Sequence, residues 1–351
     1  MKRWICLGFL LLALTGNARA AELPEDLAGA APEAAGDLLE IGDLSGPGGF
    51  SQGLAGIIER ISGEVKTVLR QRLRGAASIL LVAVACGAVD GFARGTGEGK
   101  AAAFLPMAGA LAVTLLTAGS LEDLIGLGAE TIRELNVFSK ALLPTLAAAT
   151  AASGAVTTVF LADLLMELIN GLLIPLVYLY IGALAAGACL PENRLGAIAE
   201  ALKKIVTWLL TSSLLLFTVY LSTVRVIAGA ADGASVKVAK AAISGAVPVV
   251  GGIIAEAAET VLAGAGMLKN TIGVFGMLAI LAACAYPFLQ LGVQYLLYKL
   301  SAFLAAAVGA PELCRLIDGL GGAFGLVLGM TGSCALLLLV SVLSSVAAVT
   351  P

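Results

Sequence analysis

Long apolar stretches follow one another through most of this chain, and each approaches the length that crosses a lipid bilayer. The hydrocarbon core of a bilayer takes about 20 apolar residues in a helix, and helices satisfy their own backbone polar groups there. The candidate spans are 76–92, 101–121, 141–161, 168–190, 205–227, 272–308 and 323–348. The run 272–308 can hold two crossings that bend near Tyr286-Pro287. We therefore expect an all-α, polytopic membrane protein with about seven or eight transmembrane helices.

Composition supports this expectation and excludes several classes of function. Hydrophobic residues make up 59% of the chain, charged residues 13%, and the mean hydropathy is +1.00, whereas soluble proteins carry roughly 25% charged residues. With a net charge of −3, nucleic acid is not an expected partner. The absence of histidine excludes His-dependent nucleophilic catalysis, His-ligated zinc and His proton relays.

Motifs for catalysis or cofactor binding are absent from the sequence. The six cysteines stand singly, which is typical of small packing residues rather than of a metal site or disulfide framework. The loop 95–100 resembles a phosphate-binding loop, but Arg94 replaces its first glycine and Ala101 its Ser or Thr. We therefore expect a non-enzyme without catalytic, cofactor-binding or metal-binding residues.

The first 74 residues contain three predicted segments, which precede the multi-spanning domain at 75–351. Residues 1–20 have the charged start, apolar stretch and Ala18-Arg19-Ala20 ending of a signal peptide; an uncleaved anchor is the alternative. Residues 21–49 have the composition of an acidic, flexible extracytoplasmic segment. Residues 50–74 have the periodicity of an amphipathic helix. Lys and Arg are shared evenly between the two sides, so they do not set an orientation.

A Gly/Ala-rich segment at 228–270 interrupts the series of spans. Its apolar part, 241–255, is too short to cross alone. One interpretation is a re-entrant element, tolerated only where backbone is buried in protein or lines water; the other is a pair of interfacial helices joined by a Pro-Gly turn. The residues of the turn are Gly245, Pro248, Gly251 and Gly252.

Glycines and a few charges are the remaining candidate functional residues. Gly321, Gly325 and Gly329 are spaced by four residues, a pattern that lets membrane helices approach closely. Lys299, flanked by Tyr295 and Tyr298, is an intramembrane or interfacial charge that can reach the headgroups; a transport role is the alternative.

Asp163 and Glu167 are predicted to lie one turn apart in a short link between two spans. Two carboxylates on one face can bind a cation or relay protons. The ordinary interpretation is a hydrated turn between two helices.

The stretch 225–276 carries a resemblance to a known family. It reads RVIAGAADGASVKVAKAAISGAVPVVGGIIAEAAETVLAGAGMLKNTIGVFG. The Lys-Ala-Ala-Ile-Ser core, the Pro-Val-Val-Gly-Gly turn and the Leu-Lys-Asn-x-x-Gly ending resemble the stage III sporulation protein AE family of endospore-forming bacteria. The signal peptide, the acidic segment and the span from Trp208 to Ser222 agree with it.

The resemblance implies a specific role. Such proteins are made in the mother cell and sit in the membrane around the engulfed forespore. They belong to a secretion-like channel complex with other membrane proteins of one operon and a separate secretion-type ATPase. The family implies no catalytic residues. The alternative from the residues is a solute transporter or permease subunit; an intramembrane hydrolase lacks a catalytic dyad.

Overall fold

The computed structural model describes residues 25–36, 48–96, 99–150, 155–189, 194–227 and 271–347, and no strand occurs in these ranges. A short helix α1 and a 3₁₀ turn precede the long helices. The elements are α1 Glu25–Gly29, the turn Glu33–Ala35, α2 Gly49–Thr96, α3 Gly99–Thr150, α4 Ala155–Leu168, a π-helical segment Ile169–Leu173, α5 Ile174–Ala188, α6 Arg194–Ile227, α7 Thr271–Ala307 and α8 Pro311–Ala347. The predicted all-α membrane class is confirmed.

Six helical units in the described part of the chain are long and apolar enough to cross a membrane. They are α2, α3, the unit formed by α4, the π-helical segment and α5, and then α6, α7 and α8. The expected count of about seven or eight is not confirmed. The run 272–308 is one helix that continues through Pro287, because proline is tolerated in membrane helices where neighbours satisfy the freed backbone groups. The prediction that this run holds two crossings is therefore wrong.

Helix α3 joins two stretches that the sequence separates. It extends over 52 residues, so the predicted span 101–121 and the first part of 141–161 belong to one helix. The charges between them lower the hydropathy without breaking the helix. Leu124, Ile132 and Leu135 keep a buried face through this charged part, which is the periodicity of an amphipathic helix.

Helix α2 joins the predicted amphipathic helix 50–74 to the span 76–92. Its 48 residues measure about 70 Å at 1.5 Å per residue, more than twice the roughly 30 Å of bilayer hydrocarbon. The first half of α2 therefore extends beyond the hydrocarbon.

The α7–α8 hairpin lies at the centre of the molecule. Gly309 turns the chain between the two helices with φ 88°, a conformation that favours glycine. In the most apolar stretch of each helix, 67% of the residues of α7 and 83% of those of α8 are buried, against 17% in α2 and 28% in α3, α6 and the α4–α5 unit. The outer helices contact the hairpin and expose large apolar side chains, including Leu81, Phe92, Leu115, Phe160 and Trp208. The apolar stretches of the outer helices therefore face lipid, and protein covers most of the hairpin.

The described part of the N-terminal segment packs on this core. The 3₁₀ turn contacts α7, and α1 contacts α3; Leu27 and Ala35 have no exposed surface. The signal peptide 1–20 and residues 37–47 lie outside the described residues, so the predicted signal peptide stays a prediction.

Candidate functional site at the α7–α8 hairpin

Two of the three predicted packing glycines bring α8 against α7. A Cβ added to Gly321 would lie 3.0 Å from Cβ of Tyr298, and one added to Gly325 would lie 3.0 Å from Cε2 of Tyr295. Contacts this close leave little room for a side chain. At Gly329 the neighbour is Cδ2 of Leu210 in α6, at 3.7 Å, which is an ordinary contact distance.

Sequence spacing did not identify other glycines with equally close neighbours. A Cβ added to Gly87 of α2 would lie 2.9 Å from the carbonyl oxygen of Val308, at the hairpin turn. A Cβ on Gly319 of α8 would lie 2.5 Å from Cδ2 of Leu184 in α5. Gly87 is spaced by four residues from Gly91 and Gly95, and Gly319 stands two residues before Gly321, but which of these glycines makes a close contact depends on which helices become neighbours.

An ion pair connects the two helices near their turn. Nζ of Lys299 lies 2.6 Å from Oδ1 of Asp318, and the side chains are 34% and 47% exposed. The same ammonium lies 5.8 Å from the ring centroid of Tyr295, within cation–π range. The sequence identified Lys299 and its tyrosines but not Asp318, which approaches only because the chain reverses at Gly309.

A row of buried polar side chains follows α7, with Gln290 against α2 and Tyr298 against α8. Gln290, Gln294, Tyr298 and Ser301 are all at least nine-tenths buried and are spaced by about one turn. Arg72 of α2 donates a hydrogen bond to Oε1 of Gln290, while Nε of Arg72 and Oε1 of Gln294 are buried without a hydrogen-bond partner. Sequence reasoning missed this row, although its four-residue spacing is visible.

A tyrosine hydroxyl fixes α5 to α8 on another side of the hairpin. Tyr180, which is 2% exposed, donates a 2.8 Å hydrogen bond to the carbonyl oxygen of Gly319. The hairpin thus has polar contacts to two neighbouring helices, from Gln290 to α2 and from Gly319 to α5.

The predicted carboxylate pair lies away from the hairpin. Asp163 and Glu167 are inside α4, so the predicted turn at this position is wrong; the helix continues into the π-helical segment. Nζ of Lys140 in α3 lies 3.1 Å from Oδ1 of Asp163, an ion pair without well-aligned hydrogen-bond geometry. Glu167 is exposed.

The arrangement near the hairpin positions helices rather than a reacting group. Close glycines, one ion pair and buried amides set the register between α2, α5, α7 and α8. Within the described ranges, no three Cys, Asp or Glu side chains come together as a metal site would require. The turn residues Gly245, Pro248, Gly251 and Gly252 lie outside the described residues, and the re-entrant element stays a prediction.

Comparison with known proteins gives one family. The model of the family described as stage III sporulation protein AE matches residues 45–349. The stage III sporulation protein AE of Bacillus subtilis (strain 168) is 27% identical over 216 residues, which cover 59% of this chain and 54% of the relative. The match thus covers about half the length of that curated relative. No solved structure matches the chain.

Proposed function

Because the chain belongs to the stage III sporulation protein AE family, we propose that it is a non-enzymatic membrane component of the channel complex between mother cell and forespore. Its place is the mother-cell-derived membrane around the forespore. Its partners are other membrane proteins of the same sporulation operon and a separate secretion-type ATPase. The observation that carries the proposal is the family match over residues 45–349.

The packing of the hairpin supports a structural role. Most of the α7 and α8 spans are buried by protein, and Gln290 and Gly319 accept hydrogen bonds from neighbouring helices. Gly321 and Gly325 let α8 approach α7 closely, and Lys299–Asp318 holds the register near the turn. We assign these residues to helix packing, which suits a rigid subunit around which other components assemble.

A deletion in a sporulating host tests the proposal. We expect engulfment to finish in the deletion strain, while a forespore reporter that switches on after engulfment stays silent and the forespore collapses. A plasmid copy of the full chain should restore the reporter. The proposal would be contradicted if the deletion strain formed spores as normally as the strain with the plasmid copy.

A second candidate function, a solute transporter or permease subunit, is favoured by the polar row of α7. Gln290 and Gln294 are buried, and Gln290 is hydrogen-bonded to Arg72; buried polar side chains of membrane proteins are typical of substrate paths. If this function is correct, replacing Gln294 with Leu should change uptake of a solute while leaving spore formation normal. The channel proposal expects no change in uptake in that variant.

A further inference from the structure

Helix α2 repeats an apolar residue followed by a basic residue every four positions. The pairs, which we call the α2 ladder, are Val65-Lys66, Leu69-Arg70 and Leu73-Arg74. All six residues are exposed, and the apolar side chains are 38%, 39% and 45% exposed in chain order. Residues four apart lie close together on a helix surface. The ladder is therefore an apolar stripe with a row of cations beside it.

The ladder is positively charged and carries no neutralising carboxylate of its own. No Asp or Glu occurs between Val65 and Arg74. Ion pairs between described residues include those of Arg133, Lys140, Lys299 and Arg315, which are cations outside the ladder. A binding partner of the ladder should therefore supply negative charge.

Another side of α2 is occupied by α7. A Cβ added to Gly53 would lie 2.5 Å from Cδ1 of Leu278, and Arg72 hydrogen-bonds to Gln290. Val68 is only 2% exposed. Helix α2 is thus fixed on the core along this side, and the ladder lies on its outer surface.

Lipid cannot cover the whole ladder. Helix α2 has no charged residue from Gly75 to Val89, so its membrane part starts near Gly75. Val65 precedes Gly75 by ten residues, which is about 15 Å along the helix. The headgroup layer on each side of the hydrocarbon is only about 5–8 Å thick. Leu73-Arg74 can reach that layer, whereas Val65-Lys66 extends beyond it into water.

We propose that the α2 ladder is the docking surface for an acidic amphipathic helix of another membrane protein. A helix with Asp or Glu beside apolar residues at four-residue spacing would bury the stripe and neutralise the cations. Two ladders from two copies of this chain would place like charges together, which disfavours that contact. This proposal rests on the proposed function, because the partner is taken to be another component of the same channel complex.

Photo-crosslinking in sporulating cells tests this docking. A benzoylphenylalanine is placed at Leu69 of the full chain, and at Leu216, an exposed apolar residue of α6, as the lipid-facing control. We expect the Leu69 probe to form a protein adduct that maps to a helix rich in Asp and Glu. The Leu216 probe should not form this adduct.

Charge reversal then tests the chemistry. Arg70→Glu should lower the adduct yield at least about tenfold, and replacing the crosslinked carboxylate of the partner with Lys should restore it. Lys204→Glu on α6, an exposed cation outside the ladder, is the matched control and should leave the yield unchanged. Equal thermal unfolding of the Arg70→Glu and parent proteins confirms that the variant is folded.

Three outcomes would overturn the proposal: adducts with lipid alone, adducts with residues 228–270 or a second copy of this chain, or a yield unaffected by Arg70→Glu. The deletion experiment is independent of these outcomes. A silent forespore reporter together with lipid-only adducts would reject the docking surface and retain the proposed function. Normal sporulation of the deletion strain would reject the proposed function whatever the adducts are.

Discussion

The α7–α8 hairpin and helix α2 are both built from long helices, but their surroundings differ. The hairpin is mostly buried, and its helices approach each other at glycines and through one ion pair. Helix α2 is mostly exposed, with a charged first half and an apolar second half. At Gly321 and Gly325 of the hairpin, stability depends on shape, because an added side chain meets a neighbour at 3.0 Å. Along the outside of α2, most positions meet only lipid, water or a partner.

This difference separates two kinds of function in one chain. A closely packed hairpin is costly to alter, because protein interiors are packed like crystals. An exposed helix can change its contacts without disturbing the core. The hairpin is therefore suited to hold the subunit together, and α2 is suited to interact with other components.

The largest expected effect is at a glycine of the hairpin. In Gly321→Leu the new side chain begins 3.0 Å from Cβ of Tyr298, an atom fixed close to its backbone. We expect a destabilisation of about 3 kcal/mol or more, at or above the upper end of measured overpacking costs. Thermal unfolding of the purified protein in detergent measures it.

Gly63→Leu is the matched control on α2. Nothing lies within 4 Å of a Cβ added to Gly63, and leucine favours helix by about 0.8 kcal/mol over glycine. This variant should unfold at the parent temperature or slightly above it. Equal destabilisation by the two variants would show that hairpin and α2 do not differ in packing as described.

The next effect contrasts two amides of the α7 row. Gln290 accepts a hydrogen bond from Arg72, whereas Oε1 of Gln294 is buried without a partner. Removing one partner of a buried hydrogen bond costs about 1–3 kcal/mol, while removing an unsatisfied group can be neutral or stabilising. We therefore expect Gln290→Met to lower the unfolding temperature more than Gln294→Met, because the Gln294 amide is hydrogen-bonded to the Tyr298 side chain but leaves its Oε1 without a partner.

The same two variants also test whether the buried polar row of α7 has a structural role or a transport role. Both are read by thermal unfolding and by spore formation in the complemented deletion strain. A Gln294→Met variant that is much less stable than Gln290→Met would contradict this order and would mean that the hydrogen bond of Gln294 with Tyr298 contributes more than that of Gln290 with Arg72.

Sequence could predict the helices of the hairpin better than their connections. The apolar content of 272–308 and 323–348, and the spacing of Gly321 and Gly325, are local properties that a bilayer and a close helix contact require. The sequence did not predict α7 as a single helix, because a proline such as Pro287 usually indicates a break. In a membrane bundle, neighbouring helices can satisfy the backbone groups that the proline leaves free.

The partners of polar residues could not be predicted in the same way. Lys299 was visible as a charge in an apolar run, but Asp318 approaches it only through the turn at Gly309. Lys140 and Asp163 meet because α3 and α4 are neighbours in space, while hydropathy placed Asp163 in a link. Such contacts follow from the arrangement of helices, which no local pattern encodes.

The smallest expected effects concern the coupling energies of two ion pairs, one in the hairpin and one between outer helices. The Lys299–Asp318 pair has a 2.6 Å contact with side chains 34% and 47% exposed, and the Lys140–Asp163 pair has a 3.1 Å contact with side chains 56% and 35% exposed. Exposed pairs contribute about 0.2–1 kcal/mol because solvent screens them and ordering two side chains costs entropy. We expect coupling energies of about 1 kcal/mol for the hairpin pair and about 0.3 kcal/mol for the outer pair.

Double-mutant cycles with Lys→Met and Asp→Asn isolate these coupling energies from the cost of each single change. The measurement is thermal unfolding at two salt concentrations, and the outer pair should lose more of its coupling at high salt, because exposed charges are screened more. A larger coupling at Lys140–Asp163 than at Lys299–Asp318 would reverse the comparison, since it would place the stronger electrostatic restraint on the outer helices rather than on the hairpin.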